Sequence, residues 1–452
     1  MLTYAMVDRG TIALDGLEGQ TGDRATFQGH SYTDKLPGFS LLAAVPYGLA
    51  KVCLGLPDHP TGTRSLPLWP ADYWATLGTA GLATAATGAL LAHLAGRLGC
   101  GPRRSALVGL AYGLATPAYV YATLGYGHQV SAFALLASFA LIWRADRGRR
   151  SSWALGLAGF AAAGASAVEL QVGPASALLG LFALARAVRG QLRGSAVGAF
   201  ALGAVPPTLT LLGYNLLAFG SPIDMGYFHH ATQRFRDVHS GRNPLGLRRA
   251  DWRLIGPLLI GKRRGLLLFA PILALALPGW ITLALRRRWE VAGLSAAVCV
   301  ALFAVNLSYP EWTGGWATGP RLLVPLLPFA MLPVASCLAV GGRGVWAIGV
   351  LLVLAGGAFM LLCQGIDGRI PEGYANPLVD PLWPFWRGGR LPWREPAGEV
   401  GWTPVAWMWP KSVRGLPTTL RWVQFLPLVA FQALSIAILA NHLGKPLKPP
   451  RS

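Results

Sequence analysis

Apolar residues come in runs of about 20 along this chain, the length a helix needs to cross a bilayer. The runs lie near 73–95, 105–123, 128–143, 153–171, 173–188, 195–217, 265–285, 291–309, 321–340, 345–363 and 421–441. They predict an all-α polytopic membrane protein with about eleven transmembrane helices. A further apolar stretch, LPGFSLLAAVPYGLAKVCLGL at 36–56, carries Lys51 and two prolines, so its spacing alone does not decide whether it spans.

The polar connectors decide it. Basic residues collect in 96–104 (Arg97, Arg103, Arg104), 144–152 (Arg144, Arg147, Arg149, Arg150), 186–194 (Arg186, Arg189, Arg193) and 286–290 (Arg286, Arg287, Arg288). Arg343 and the tail (Lys445, Lys448, Arg451) complete the set. Cytoplasmic connectors are enriched in Lys and Arg, and these connectors alternate with poorly basic ones if 36–56 does not span. The stretch is therefore predicted to lie in the interface. The chain then divides into an outer-face loop with an interfacial helix (1–72), a helical core (73–363) with outer loops 218–264 and 310–320, an outer loop 364–420, and a last helix with a cytoplasmic tail (421–452). Because this arrangement starts outside, a first spanning helix is expected upstream of residue 1.

Composition agrees. Of the 452 residues 53% are hydrophobic and only 13% charged, yet the net charge is +20. A nucleic-acid binder of that charge would be rich in charged residues, and a disordered chain would lack apolar surface; both are excluded. The named connectors and tail hold 17 of the 39 basic residues but only Asp146 and Glu290 of the 19 acidic ones. Most of the excess charge is thus an orientation signal, and the outer side keeps a net of +5. Five scattered cysteines make neither a disulfide framework nor a metal cluster.

Three outer segments concentrate polar chemistry. In TGDRATFQGHSYTDKLPGFSLLAAVPY (21–47), Asp34 and Lys35 stand just before the interfacial helix, where an ammonium can meet a lipid phosphate. Residues 234–264 carry nine basic side chains against Asp237 and Asp251, a cluster suited either to phosphate groups or to anionic headgroups. In YPEWTGGWATGPRLLVPLLPF (309–329), Glu311, Trp312, Trp316 and Arg321 crowd a Gly-turned loop suited to sugar stacking and phosphate binding. Glu169 and His128 sit at outer helix ends and can line the same cavity.

The pieces RGTIALDG, GHSYTDKLPGFSLLAAVPY, YNLLAFGSP, RRGLLLFAPILALALPG and EWTGGWATGPRLLVPLLPF, in that order from about residue 9 to 329, resemble the bacterial GT-C superfamily of lipid-carrier-dependent glycosyltransferases. That superfamily includes protein mannosyltransferases and lipid A aminoarabinose transferases. The resemblance implies inverting transfer of a sugar from a polyprenyl-phosphate donor to a lipid, glycan or protein acceptor, at the outer face of the bacterial plasma (inner) membrane. Membrane lipids are the implied surroundings, and nucleic acid is no partner. It implies an acidic base in the first outer loop, for which Asp8, Asp15, Asp23 and Asp34 are the candidates. It implies donor-phosphate contacts from Lys35, Arg321 and one of Arg263 or Arg264, with Tyr227, His128, Glu311, Trp312 and Trp316 lining the substrate. Asp34-Lys35 matches the first two positions of a Glu-Lys-Pro-Pro motif, with Leu36 in place of the first proline and Pro37 kept. A later His near an Arg-Phe pair implies a divalent metal ion on Asp34 with His229 and His230, although the spacing to Arg234-Phe235 departs from the pattern.

The rival reading is a non-enzymatic transporter or flippase of an anionic lipid-linked sugar. Such a protein would place ionisable groups near the membrane midplane and show broken or repeated helices; the spans here carry almost no charge.

Overall fold

The computed structural model describes residues 1–59, 70–148, 150–240, 243–366, 368–387 and 430. The expected last span, most of the loop 364–420 and the tail lysines lie outside the described residues, as do Arg149 and Arg242. The other ten apolar runs are all helical. Seven of the described helices are long and apolar enough to cross a membrane. The main elements are α1 (Leu2–Arg9), β1 (Arg24–Phe27), β2 (His30–Thr33), α2 (Gly38–Leu54), α3 (Asp72–Arg97), α4 (Pro102–Leu114), α5 (His128–Arg144), α6 (Arg150–Val168), α7 (Gly173–Val188), α8 (Gly194–Phe219), α9 (Pro271–Leu285), α10 (Trp289–Leu307), α11 (Arg321–Val340) and α12 (Arg343–Ile366).

Two expected spans are shorter than their apolar runs, and proline explains both. A residue before proline is pushed out of the helical region. The 105–123 run stops at Leu114, ahead of Thr116-Pro117. Thr116 then closes the turn, its hydroxyl donating to Tyr112 O at 2.7 Å and accepting from Ala118 N at 3.2 Å. The 265–285 run breaks at Ala270, before Pro271. The 36–56 stretch forms α2, a 17-residue helix with Leu42, Val45, Leu49 and Val52 exposed on one side.

Helix α11 is the central post, with 89% of its apolar window buried in the protein, whereas α8 and α12 bury 11% and 17% and turn outward. Close helix approach in a membrane relies on small residues. Helices α6 and α8 meet through Gly156, Gly159 and Gly203, where a Cβ on Gly159 or Gly203 would overlap the carbonyl oxygen of Phe200 or Gly156.

Arginines of the basic connectors cap neighbouring helices. Arg104 donates to Leu338 O and Ala339 O at the end of α11, Arg186 to Ile142 O and Trp143 O at the end of α5, and Arg286 to Leu98 O after α3. A helix C-terminus carries unpaired carbonyls and negative potential, and an arginine answers both. These caps close one end of the bundle; the opposite ends of α5 and α11 carry His128 and Arg321.

The all-α expectation needs one amendment at that second end. Residues 24–33 form an antiparallel hairpin pairing Arg24 with Thr33 and Phe27 with His30. Its turn residues Gln28 and Gly29 both have positive φ (48° and 85°), as a two-residue hairpin turn requires. Beneath it lies a small second core of Leu2, Tyr4, Leu14, Leu17, Ala25, Tyr47, Tyr214 and Phe219.

The α6–α8 seam gives a direct test. Gly203→Leu should lower the thermal unfolding midpoint in detergent, at a cost of about 1–3 kcal/mol for overpacking. Gly213→Leu, on the same helix with open space around it, should leave the midpoint unchanged.

Candidate functional site

The hairpin ends at Thr33, so Asp34 and Lys35 stand between β2 and α2, at the edge of the small core. The segment after α8 folds back over them. His230 bridges to Ala25, and Ala231 N donates to Arg24 O at 2.9 Å, so residues 230–231 extend the hairpin by one short edge. Gly226 makes this approach feasible: a Cβ there would lie 2.5 Å from Thr33 O and 2.9 Å from Asp34 Cα.

Asp34 is 1% exposed. Its Oδ2 accepts from Lys35 Nζ at 2.6 Å and lies 3.5 Å from His230 Nε2, while Oδ1 is buried without a partner. Asp23 Oδ1 stands 3.5 Å from the same ammonium. Burial pushes the Asp34 carboxyl up, against the pull of Lys35. Burial opposes the Lys35 ammonium, but Asp34, Asp23 and the Tyr227 hydroxyl outweigh it and push its pKa up. Lys35 is therefore a permanent cation with half its side chain exposed.

Tyr227 stacks on His239 at 4.7 Å. Burial raises the Tyr227 hydroxyl, and its other electrostatic neighbours are Lys35, Asp34, Tyr309 and Glu169. His239 Nδ1 donates to Pro244 O at 3.0 Å, which leaves Nε2 to accept from Tyr309 OH at 3.3 Å. Arg321 lies 5.3 Å over the Tyr126 ring with its Nε buried and unbonded, and its charge reaches Tyr309, as that of Lys35 does.

Several expected residues have other employment. Asp8 is enclosed by Tyr47 OH (2.9 Å), Lys51 Nζ (2.6 Å) and His59 N (3.0 Å). Asp15 accepts from Ser31 N at 2.8 Å and contacts His30, which holds its carboxyl below the usual range. His229 turns away from Asp34: its Nε2 pairs with Asp224 at 2.8 Å and its ring stacks on Phe219. His229 ends the helical turn Gly226–His229, and the chain turns extended only at His230, so only His230 reaches the cluster. Glu311 takes Arg234 through both oxygens, at 2.7 and 2.8 Å.

Arg264 is not free for a phosphate. Fully buried, it donates to Thr313 O, Gly315 O and Ala317 O at 2.8–2.9 Å, and burial lowers its pKa to about 10. It is the clasp that holds the 313–317 loop and presents Trp316, 48% exposed, beside the half-buried Trp312. Arg263 donates to Glu372 O, with its Nε buried and unbonded. Glu372, His239 and Tyr309 were not singled out by the sequence, where nothing distinguishes them from ordinary loop residues.

Asp23, Asp34 and His230 bring one ligand atom each within 4.8 Å of one another. The orphaned Asp34 Oδ1 suits a divalent cation. His230 Nδ1, however, accepts from Thr232 N at 2.9 Å, so the neutral ring carries its proton on Nε2. His230 joins a cation only by exchanging that bond for the other tautomer.

No family model and no curated protein matches the chain. Its fold does match a solved structure, that of ArnT from Cupriavidus metallidurans bound to undecaprenyl phosphate. The match covers 98% of this chain and 67% of that one, at a TM-score of 0.51 and 17% identity. The chain shares the fold of that structure, a multi-pass helical membrane architecture as expected from the sequence.

Burial lowers the pKa of both His230 and His239 below the ordinary 6.5. On acidification the unfolded chain then binds protons first, so stability present above about pH 6.5 is lost as pH falls toward the folded values. The thermal midpoint should drop between about pH 7.5 and 5.5, and less steeply in His239→Gln; the difference between the two curves isolates this histidine from other groups.

Proposed function

We propose that this chain transfers a sugar from a polyprenyl-phosphate donor to a hydroxyl of a lipid, glycan or protein acceptor, at the outer face of a bacterial plasma membrane. The reading is carried by Lys35: a permanent, half-exposed cation fixed by a buried carboxylate at the open end of a fold shared with a structure that holds undecaprenyl phosphate. The basic connectors at the opposite, arginine-capped end support the outward orientation.

In this reading Lys35 and Arg321 face the donor phosphate. Negative charge grows on the phosphate as the anomeric bond breaks, and fixed cations in a site of low dielectric stabilise that charge more than they stabilise the ground state. Asp34 holds Lys35 in place. Tyr227, Trp312 and Trp316 offer aromatic surface to the sugar. Inverting transfer follows from a single attack on the face opposite the phosphate.

Lys35→Ala should reduce sugar transfer from an undecaprenyl-phosphate donor in reconstituted vesicles by about a hundredfold or more, with the protein still inserted. Full activity of that variant would overturn the assignment.

A divalent cation held by Asp23, Asp34 and, after the tautomer change, His230 belongs to the same proposal. Bound there, it would supply further positive charge to the donor phosphate. Zinc titrated into the purified protein should bind at about one equivalent, and Asp34→Asn should abolish that binding.

A further inference from the structure

The outer end of the bundle holds a second buried polar group that the donor-phosphate site does not use. His128 opens α5, and Glu169 stands at the break between α6 and the turn Leu170–Val172, where its backbone is extended (φ −144°). His128 Nδ1 is in ion-pair contact with Glu169 Oε1, their side chains 5% and 13% exposed. Tyr126 lies parallel to the imidazole at 5.6 Å, and Tyr121 meets it edge-on at 5.2 Å. Arg321 covers the Tyr126 ring, and the Glu169 charge reaches Tyr227, so the pair shares a wall with the donor site.

Two features point to a ligand. Both ring nitrogens of His128 and Glu169 Oε2 are buried without a hydrogen-bond partner, Nδ1 having only the ion-pair contact with Glu169 Oε1. Each such atom carries a desolvation cost that an incoming hydroxyl would relieve. The pair also differs from the other carboxylate–histidine contacts described at this end: Asp15–His30 and Asp224–His229 are more exposed, and the far nitrogen of His230, beside Asp34, accepts from Thr232 N, whereas the far nitrogen of His128 is buried with nothing to bond. A carboxylate beside one ring nitrogen stabilises the imidazolium, so that the other nitrogen can accept a proton.

We propose that His128, backed by Glu169, is the general base that takes the proton of the acceptor hydroxyl. This rests on the glycosyl-transfer reading above. The acceptor oxygen uses a lone pair to form the bond to the anomeric carbon, and its proton moves to His128 Nε2. The bond from the anomeric carbon to the phosphate oxygen breaks, and its electron pair leaves with the polyprenyl phosphate. The imidazolium so formed faces Glu169 and returns its proton to water after product leaves. Asp34, with Lys35 on one oxygen, is relieved of the base role and positions the phosphate site.

The test uses the full chain in vesicles with undecaprenyl-phosphate-linked sugars as donors and envelope lipids as acceptors. His128→Gln should lower kcat by about a hundredfold or more, the contribution of a general base, while the KM for donor stays within about twofold. Glu169→Gln should lower kcat by about tenfold or more with the same split. Added imidazole should restore part of the turnover of His128→Gly, which a merely structural role would not allow. Activity of His128→Gln within about threefold of wild type, a rise in KM without a fall in kcat, or absence of imidazole rescue in a folded, donor-binding His128→Gly would each overturn the dyad. If Lys35→Ala is as active as wild type, the glycosyl-transfer reading itself fails; if Lys35→Ala is inactive and the His128 variants are active, only the dyad fails.

Discussion

Burying the carboxylate of Asp34 is the constraint around which the outer end of this protein is organised. A lone charge removed from water is strongly disfavoured and persists only when paired and hydrogen-bonded. Here Lys35 supplies the pairing and His230 the neighbouring polar face. The hairpin, the glycine approach at Gly226 and the return of the chain after α8 exist to bring those three together. The cluster faces two ways, since Asp34 is enclosed while half of the Lys35 side chain is open. A cation held this firmly yet this accessible is what a charged headgroup needs.

The nine basic residues counted between 234 and 264 in the sequence resolve into different jobs. Arg264 is a buried clasp on three carbonyls, Arg263 leans on Glu372 O, and Arg234 grips Glu311. Arg248, Arg249, Arg253 and Lys262 remain exposed. Charge counted along a loop therefore overstates what reaches a ligand. The connector arginines show the same economy: beyond orienting the chain, Arg104, Arg186 and Arg286 close helix ends that would otherwise leave carbonyls unpaired.

The spans were legible because lipid imposes a period-free run of apolar residues, a signal that survives without neighbours. The breaks at Thr116-Pro117 and Ala270-Pro271 were not foreseen in the runs 105–123 and 265–285, although proline chemistry accounts for both. Asp34-Lys35 stood out because adjacent opposite charges ahead of an apolar helix are rare. The hairpin was missed although Phe27-Gln28-Gly29-His30 carries a two-residue turn signal, because the strands on either side are only four residues long. The choice between His229 and His230 depends on one backbone bridge to Ala25, which no local pattern encodes. Arg264 and Arg321 look alike in sequence, and only the carbonyl cage around the first separates them.

Helices α11 and α12 have similar hydropathies, 2.1 and 2.5, and follow each other in the chain. Their burial differs several-fold, so they answer to different solvents. The neighbours of α11 are protein atoms, packed at fixed distances, and a change there is felt as volume: an added methylene crowds, while a small hydroxyl such as Ser336 is accommodated. The described protein atoms leave most of α12 uncovered, and where acyl chains, which flow around any shape, meet such a surface, a change is felt as polarity. Two segments that a hydropathy profile cannot tell apart would therefore drift differently under selection, one conserving size and the other only greasiness.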